Sequence, residues 1–183
     1  METPDAGLCL KEHFPVNAAE AVEKLMASYG SSVLRTAYFY LADRHLAEDV
    51  SQEVFIRVFR AWAKFEGKSS VKTWLTKITV NLCRDKLRQY TRTEGLNDPL
   101  AWQRQQPIAT DQIAERLTKT AILHVVLSLP LPYQEVIYYY YYQDFSTREI
   151  GEVTGATEGT VRSRLHRARE LLRERLQKEG LDE

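Results

Sequence analysis

Residues 146–172 read STREIGEVTGATEGTVRSRLHRARELL. Ser146-Thr147-Arg148-Glu149 is a capping box, in which a hydroxyl and a carboxylate three residues apart answer each other's free backbone N–H groups. It opens a short helix that turns Ile150 and Val153 inward. Thr154-Gly155-Ala156 ends that helix in a tight turn, with Gly155 able to take positive φ, and Thr157 caps a longer second helix. Two helices about one tight turn are a helix-turn-helix.

At about 100° per residue, Val161, Leu165, Ala168 and Leu172 share the face that must pack on the preceding helices. Ser163, His166 and Arg167 point the opposite way, and Arg162, Arg164 and Arg169 lie on the flanks. A helix seated in a DNA major groove needs its outermost side chains at base edges and its flanking cations at phosphates. Arginine pairs with guanine O6 and N7, while Ser and His supply single hydrogen bonds. Residues 158–169 carry four arginines against Glu158 alone, more than a solvated face needs.

Working outward, helical periodicity dominates the chain and no strand alternation is evident. The spacing of Val50, Val54, Val58, Trp62 and Phe65 predicts one amphipathic helix over 47–65, with Phe55 and Phe59 widening its apolar stripe. Gly67 to Ser70 break it, and Ser69 or Ser70 caps a second helix from about Val71 to Gln89. That helix is expected to turn Val71, Trp74, Leu75, Ile78 and Leu82 inward and Thr73, Lys77, Val80, Arg84 and Arg88 outward, with Asn81 at the edge. Residues 18–42 read as one or two helices through Ala21, Leu25, Val33, Ala37 and Leu41. The Gln- and Pro-containing stretch from Thr91 to about Gln112 reads as an extended linker. Helical spacing resumes at Ile113 through Leu117, Ala121 and Val125. The run Tyr138 to Tyr142 is a helix with some rings buried and others exposed.

The chain has 183 residues, 44% hydrophobic and 27% charged, and no apolar run near the ~20 residues of a membrane span. A soluble, folded, all-α chain follows. METPDAGLCLKEHF is acidic at its front and broken by Pro4 and Gly7, unlike a secretory leader. The two cysteines, Cys9 and Cys83, build no disulfide framework and fit a reducing cytosol. Cys9 and His13 are too few ligands for a metal site. The four histidines, His13, His45, His124 and His166, are scattered, no nucleophile–base arrangement appears, and neither catalysis nor a cofactor is expected.

Net charge is zero, yet residues 64–92 hold 8 basic against 2 acidic side chains. Two separate basic surfaces are the footprint of two modules that each meet phosphate. The ridge on the second helix, preceded by the polar loop Glu66 to Ser70, is either a solvated face or a cationic track with a pocket for an unstacked base.

The stretch AEDVSQEVFIRVFRAWAKFEGKSSVKTWLTKITVNLCRDKLRQ, with LPLPYQEVIYYYYYQDFSTREIGEVTGATEGTVRSRLHRARELLRERL, closely resembles the two regions of the extracytoplasmic-function sigma factors of bacterial RNA polymerase. The resemblance implies a sigma region 2-like bundle over 18–92 and a region 4-like helix-turn-helix domain over 113–178. A flexible linker at 93–112 joins them, with an N-terminal extension at 1–17 and an acidic tail at 179–183. It implies that Asp49, Gln52, Glu53, Phe55, Ile56, Arg57 and Arg60 bind core RNA polymerase. Lys68, Ser69, Ser70 and Thr73 would capture a flipped base of the −10 promoter element, with Asn81 as the amide beside the pocket and Lys77, Arg84 and Arg88 at flanking phosphates. Ser163, His166 and Arg167 would read the −35 duplex, with Arg148, Thr160, Arg162 and Arg164 at its backbone. It further implies cytoplasmic action on promoter DNA without nucleotide hydrolysis, and control by an anti-sigma factor, which can itself be membrane-bound. Tyr140 departs from the family, which commonly carries Arg there, so one cation near the −35 phosphates is missing. An ordinary dimeric helix-turn-helix regulator and a helical scaffold are the competing readings.

Overall fold

The computed structural model describes residues 17–93 and 125–179, which fall into two compact units. The expected linker, the helical start at Ile113, residues 1–16 with Cys9 and His13, and residues 180–183 lie outside the described residues. All regular structure among the described residues is helical.

Helix α1 spans Ala18–Leu41 as one helix. Asn17 Oδ1 accepts from the Ala19 N–H at 2.9 Å, and Ala42, at φ 51°, ends it. Asp43 then caps α2, Arg44–Ala61, through the Leu46 N–H, so only Ala42 and Asp43 separate the two helices. A 3-10 turn, Trp62–Lys64, leads to α3, Val71–Thr93, which outruns its expected end at Gln89. Each of the three helices packs on the other two. Leu25, Tyr40, Val50, Val54, Val58, Val71 and Leu75 form the core. Phe65 stacks against Trp62 at 5.7 Å and meets Trp74 at 4.6 Å, fixing the chain just before the polar loop.

The packing corrects the expected face of α3. Thr73 is 1% exposed and Val80 is fully buried, so the core direction lies roughly a quarter turn from the one read off Val71, Ile78 and Leu82. The cause is that α3 meets both α1 and α2, which buries a wide arc including Thr76, Thr79 and Cys83. Threonine tolerates this because its hydroxyl finds a local acceptor, as Thr79 Oγ1 does at Leu75 O, 2.8 Å away.

In the second unit α4, Leu131–Ile137, begins after Pro130 and runs into a π-helical segment, Tyr138–Tyr142. Gln134 is buried and its Nε2 donates to Leu127 O and Leu129 O, tying down the chain before α4. Tyr138 and Tyr139 turn inward and Tyr140, Tyr141 and Tyr142 outward. Gln143 Nε2 donates to Tyr138 Oη at 2.8 Å, which satisfies the buried phenol.

Helices α5, Thr147–Thr154, and α6, Glu158–Glu179, form the helix-turn-helix. The Ser146–Glu149 capping box is present in both directions, and Gly155 takes φ 78°. Gly155 and Ala156 both donate to Gly151 O, closing the turn. Thr157 Oγ1 caps α6 by accepting from the Thr160 N–H at 3.2 Å.

Candidate nucleic-acid interface

The outer face of α6 is set by what its inner face buries. Val161, Leu165 and Ala168 are at most 3% exposed, packing toward α4 and α5. Thr160, Arg162, Ser163, His166 and Arg167 are consequently exposed, Arg164 is half-buried, and Arg148 is exposed in the first turn of α5. The structure thus gathers all seven expected duplex-contacting residues on one unit.

Most of these cations already hold acids. Arg148 pairs with Glu152 at 3.5 Å, Arg162 with Glu158 at 2.6 Å, and Arg167 with Glu170 at 3.0 Å. Glu170 also lies 3.7 Å from His166 Nδ1. The hydrogen bond to Glu170 raises the affinity of Arg167 for its proton. The Thr147 hydroxyl and Arg162 hold the Glu158 carboxyl below its usual range, the hydroxyl being the larger cause. Exposed pairs of this kind are each worth about 0–1 kcal/mol, so phosphate can replace the carboxylates at little cost.

On the first unit, Lys77, Asn81 and Arg88 stand exposed in a row on α3, with Arg84 half-buried beside them. The rotation described above places Asn81 opposite the core, at the middle of the solvent-facing side of α3. Arg88 pairs with Asp85, and Lys68 with Glu66 in the loop. Thr73 does not join the surface. Its Oγ1 shares a 2.7 Å hydrogen bond with Ser70 Oγ, which also accepts from the Thr73 N–H, so the pair caps α3. Lys68 is exposed, and Ser69 and Ser70 are half-buried.

The outer face of α2 carries Asp49, Gln52, Ile56, Arg57 and Arg60, with Glu53 half-buried and paired to Arg57 at 3.0 Å. Phe55, expected on this surface, is 6% exposed and belongs to the core. Phe59, expected in the core, is instead 51% exposed. The periodicity put both rings in the apolar stripe, but only Phe55 lies on the side of α2 that meets the bundle. Phe59 thus adds to Ile56, 45% exposed, an apolar patch among charges that sequence reasoning missed. The i, i+3 spacing of Ile56 and Phe59 was the available signal.

The family model Sigma-70 region 2 matches residues 25–93, and the model Sigma-70, region 4 matches residues 119–172. The ECF RNA polymerase sigma factor SigW of Bacillus subtilis (strain 168) is 30% identical over 167 residues, covering 86% of this chain and 89% of SigW. The chain belongs to the extracytoplasmic-function sigma factors.

SigE of Mycolicibacterium smegmatis is 34% identical over 159 residues, covering 85% of this sigma factor and 62% of SigE. Among solved structures, the sigma factor RpoE in the co-crystal structure with the anti-sigma factor NepR from Bartonella quintana superposes with a TM-score of 0.69 at 22% identity, covering 85% of this chain and 96% of that one. CnrH, solved with the cytosolic domain of CnrY, gives a TM-score of 0.65 at 22% identity over 87% and 90% of the two chains. These structures share the two-unit helical fold. Helices α1 to α3 of the sigma factor lie in the region 2 match, except for the start of α1, and α4, α5 and most of α6 lie in the region 4 match. As a sigma factor the chain serves promoter-specific initiation of transcription by RNA polymerase.

Proposed function

We propose that the first unit docks on core RNA polymerase through the outer face of α2 and traps an unpaired −10 base beside Asn81. The docking residues are Asp49, Gln52, Glu53, Ile56, Arg57 and Arg60, with Phe59 as an apolar anchor. The polar loop at Lys68, Ser69 and Ser70 borders the base pocket, and Lys77, Arg84 and Arg88 follow the strand's phosphates. Thr73 supports this surface from beneath, as the partner of Ser70.

The second unit reads the −35 duplex. Ser163, His166 and Arg167 meet base edges, while Arg148, Thr160, Arg162 and Arg164 meet the backbone. The observation that carries this reading is the outward row on α6, held directly opposite a fully packed Val161–Leu165–Ala168 face. Duplex opening then needs no hydrolysis by the sigma factor, because pocket contacts to a flipped base offset an unstacking cost of a few kcal/mol. The protein acts by binding, in the cytoplasm. Among the described residues no helix is long and apolar enough to cross a membrane.

An anti-sigma factor that covers these same surfaces completes the proposal. RpoE of Bartonella quintana, which shares the fold, was crystallised with such a partner. A dimeric regulator reading duplex DNA alone would leave the exposed Ile56 and Phe59 without use.

The test is run-off transcription with purified core polymerase on a template library, comparing the wild type with Asn81→Ala and Arg167→Ala. The expected result is start-site selection by the wild type, with Asn81→Ala slowing opening and Arg167→Ala losing −35 preference. Failure of the wild type to direct initiation from any template sinks the reading.

A further inference from the structure

Tyr140 and Tyr141 are exposed at the end of the π-helical segment, and a cation of α6 stands over both. The Arg169 guanidinium carbon lies 5.6 Å from the Tyr140 ring centre and 5.7 Å from that of Tyr141. Arg169 Nε donates to Tyr141 Oη at 2.9 Å. The two rings meet edge to face, 5.0 Å apart, and both are exposed. They form a corner in which the guanidinium is held by one hydrogen bond and two aromatic faces.

Arg169, like Arg164, differs electrostatically from the paired arginines of this surface. Arg148, Arg162 and Arg167 each pair with a glutamate, whereas among the described residues Arg169 pairs with no carboxylate. It lies two turns beyond Arg162, about 10 Å along the same flank of α6. Its Nε is occupied by Tyr141, which leaves the two Nη groups as its remaining donors. A guanidinium so held keeps a pair of donors that suits a phosphate, and its contacts to the tyrosines reduce the ordering left for DNA binding.

We infer that Tyr140 and Tyr141 position Arg169 as a phosphate-binding residue of the duplex-DNA surface. This rests on the reading of α5 and α6 as a duplex-binding unit. Tyr140 and Tyr141 are positioning residues, and Arg169 makes the contact. The arrangement holds a backbone contact, so it strengthens binding without choosing a base sequence.

The experiment measures binding of the full chain to a fluorescent 20-base-pair duplex of random sequence as salt rises, for the wild type, Arg162→Gln, Arg169→Gln and Arg169→Gln combined with Tyr140→Arg. Each lost phosphate contact removes about 0.9 from the slope of log affinity against log salt, so the wild-type advantage over Arg169→Gln shrinks about 3.5-fold between 50 and 200 mM salt. The double variant, with a cation placed at position 140 beside the site of the lost guanidinium, recovers the wild-type slope. A merely structural tie between α6 and the tyrosine segment predicts a lower melting temperature and an unchanged slope. Arg169→Lys covers the case in which Arg169→Gln melts: it keeps the slope if the charge is the contact and shares the defect if the tie is structural. An unchanged slope in Arg169→Gln, with a reduced slope in Arg162→Gln, overturns this inference and leaves the duplex reading intact. Absence of salt-dependent binding by the wild type overturns both.

Discussion

Glu158 Oε1 accepts a 2.8 Å hydrogen bond from Thr147 Oγ1, joining the first turn of α6 to the first turn of α5. The same oxygen takes Arg162 Nη2 at 2.6 Å. One carboxylate thereby ties the two helices together and holds an arginine of the DNA surface. The latch depends on ionisation. Its carboxyl is held below the ordinary 4.5, so its contribution is fully present above that pH and is lost as pH falls through the lowered value. Melting temperatures of the wild type and Glu158→Gln, followed from pH 7 to pH 3, are expected to differ at neutrality and converge in acid. A gap that stays constant across that range contradicts the latch.

Gly151 is the least replaceable glycine of the turn. A Cβ there would stand 2.7 Å from Ala156 O, a backbone atom that cannot move without opening the turn. Gly151→Ala is expected to destabilise the second unit by about 1–3 kcal/mol, in the range of overpacked sites, and to reduce duplex binding with it. At Gly159 an added Cβ meets nothing within 4 Å. Gly159→Ala is therefore expected to stabilise the unit by about 0.4–1 kcal/mol through the unfolded chain. Chemical denaturation of the two variants decides the matter, and equal effects would refute the distinction.

Phe55 and Phe59 make opposite predictions from one helix. Phe55→Ala removes a core ring and should cost about 3–5 kcal/mol. Phe59→Ala changes a ring that is 51% exposed. It should alter stability by no more than about 0.5 kcal/mol, as surface changes do. Its effect belongs to polymerase binding, where loss of a partly exposed aromatic anchor is expected to weaken association at least tenfold. Unfolding curves and titration of labelled core polymerase separate the two roles. Full retention of polymerase affinity by Phe59→Ala removes it from the docking face.

The contrast between α5 and α3 shows which features sequence carries. The capping box at Ser146 and Glu149, the positive φ of Gly155 and the cap at Thr157 are all local, written in residues that touch their neighbours, and each is legible without a fold. The face of α3 is not local. A helical wheel counts Thr73, Thr76 and Thr79 as polar, but two neighbouring helices bury them once Ser70 Oγ and Leu75 O bond the hydroxyls of Thr73 and Thr79. Phe55 and Phe59 likewise have the same chemistry, and only the position of the bundle tells them apart. The π-helical register of Tyr138–Tyr142 leaves no mark in a run of identical residues. The Arg169–Tyr141 contact joins residues 28 apart and was equally out of reach of periodicity.

Cys83 supplies a prediction about chemistry that the fold suppresses. It is fully buried in α3, and burial pushes its thiol from 9.0 up to about 12, outweighing the lowering effects of a backbone hydrogen bond and Arg84. The thiolate is the reactive form, so a thiol reagent reaches Cys83 only when the first unit opens. In a Cys9→Ser background, labelling at pH 8 is expected to run on the order of 10³-fold slower in buffer than in denaturant, as a unit of ordinary stability requires. The linkage has the matching sign. A thiol kept neutral in the fold contributes stability that is fully present below pH 9 and is lost as pH climbs toward 12. The stability advantage of wild type over Cys83→Ala should accordingly narrow above pH 9. Rapid labelling in buffer would place the thiol at the surface and make this cysteine available for redox chemistry, against the packing described.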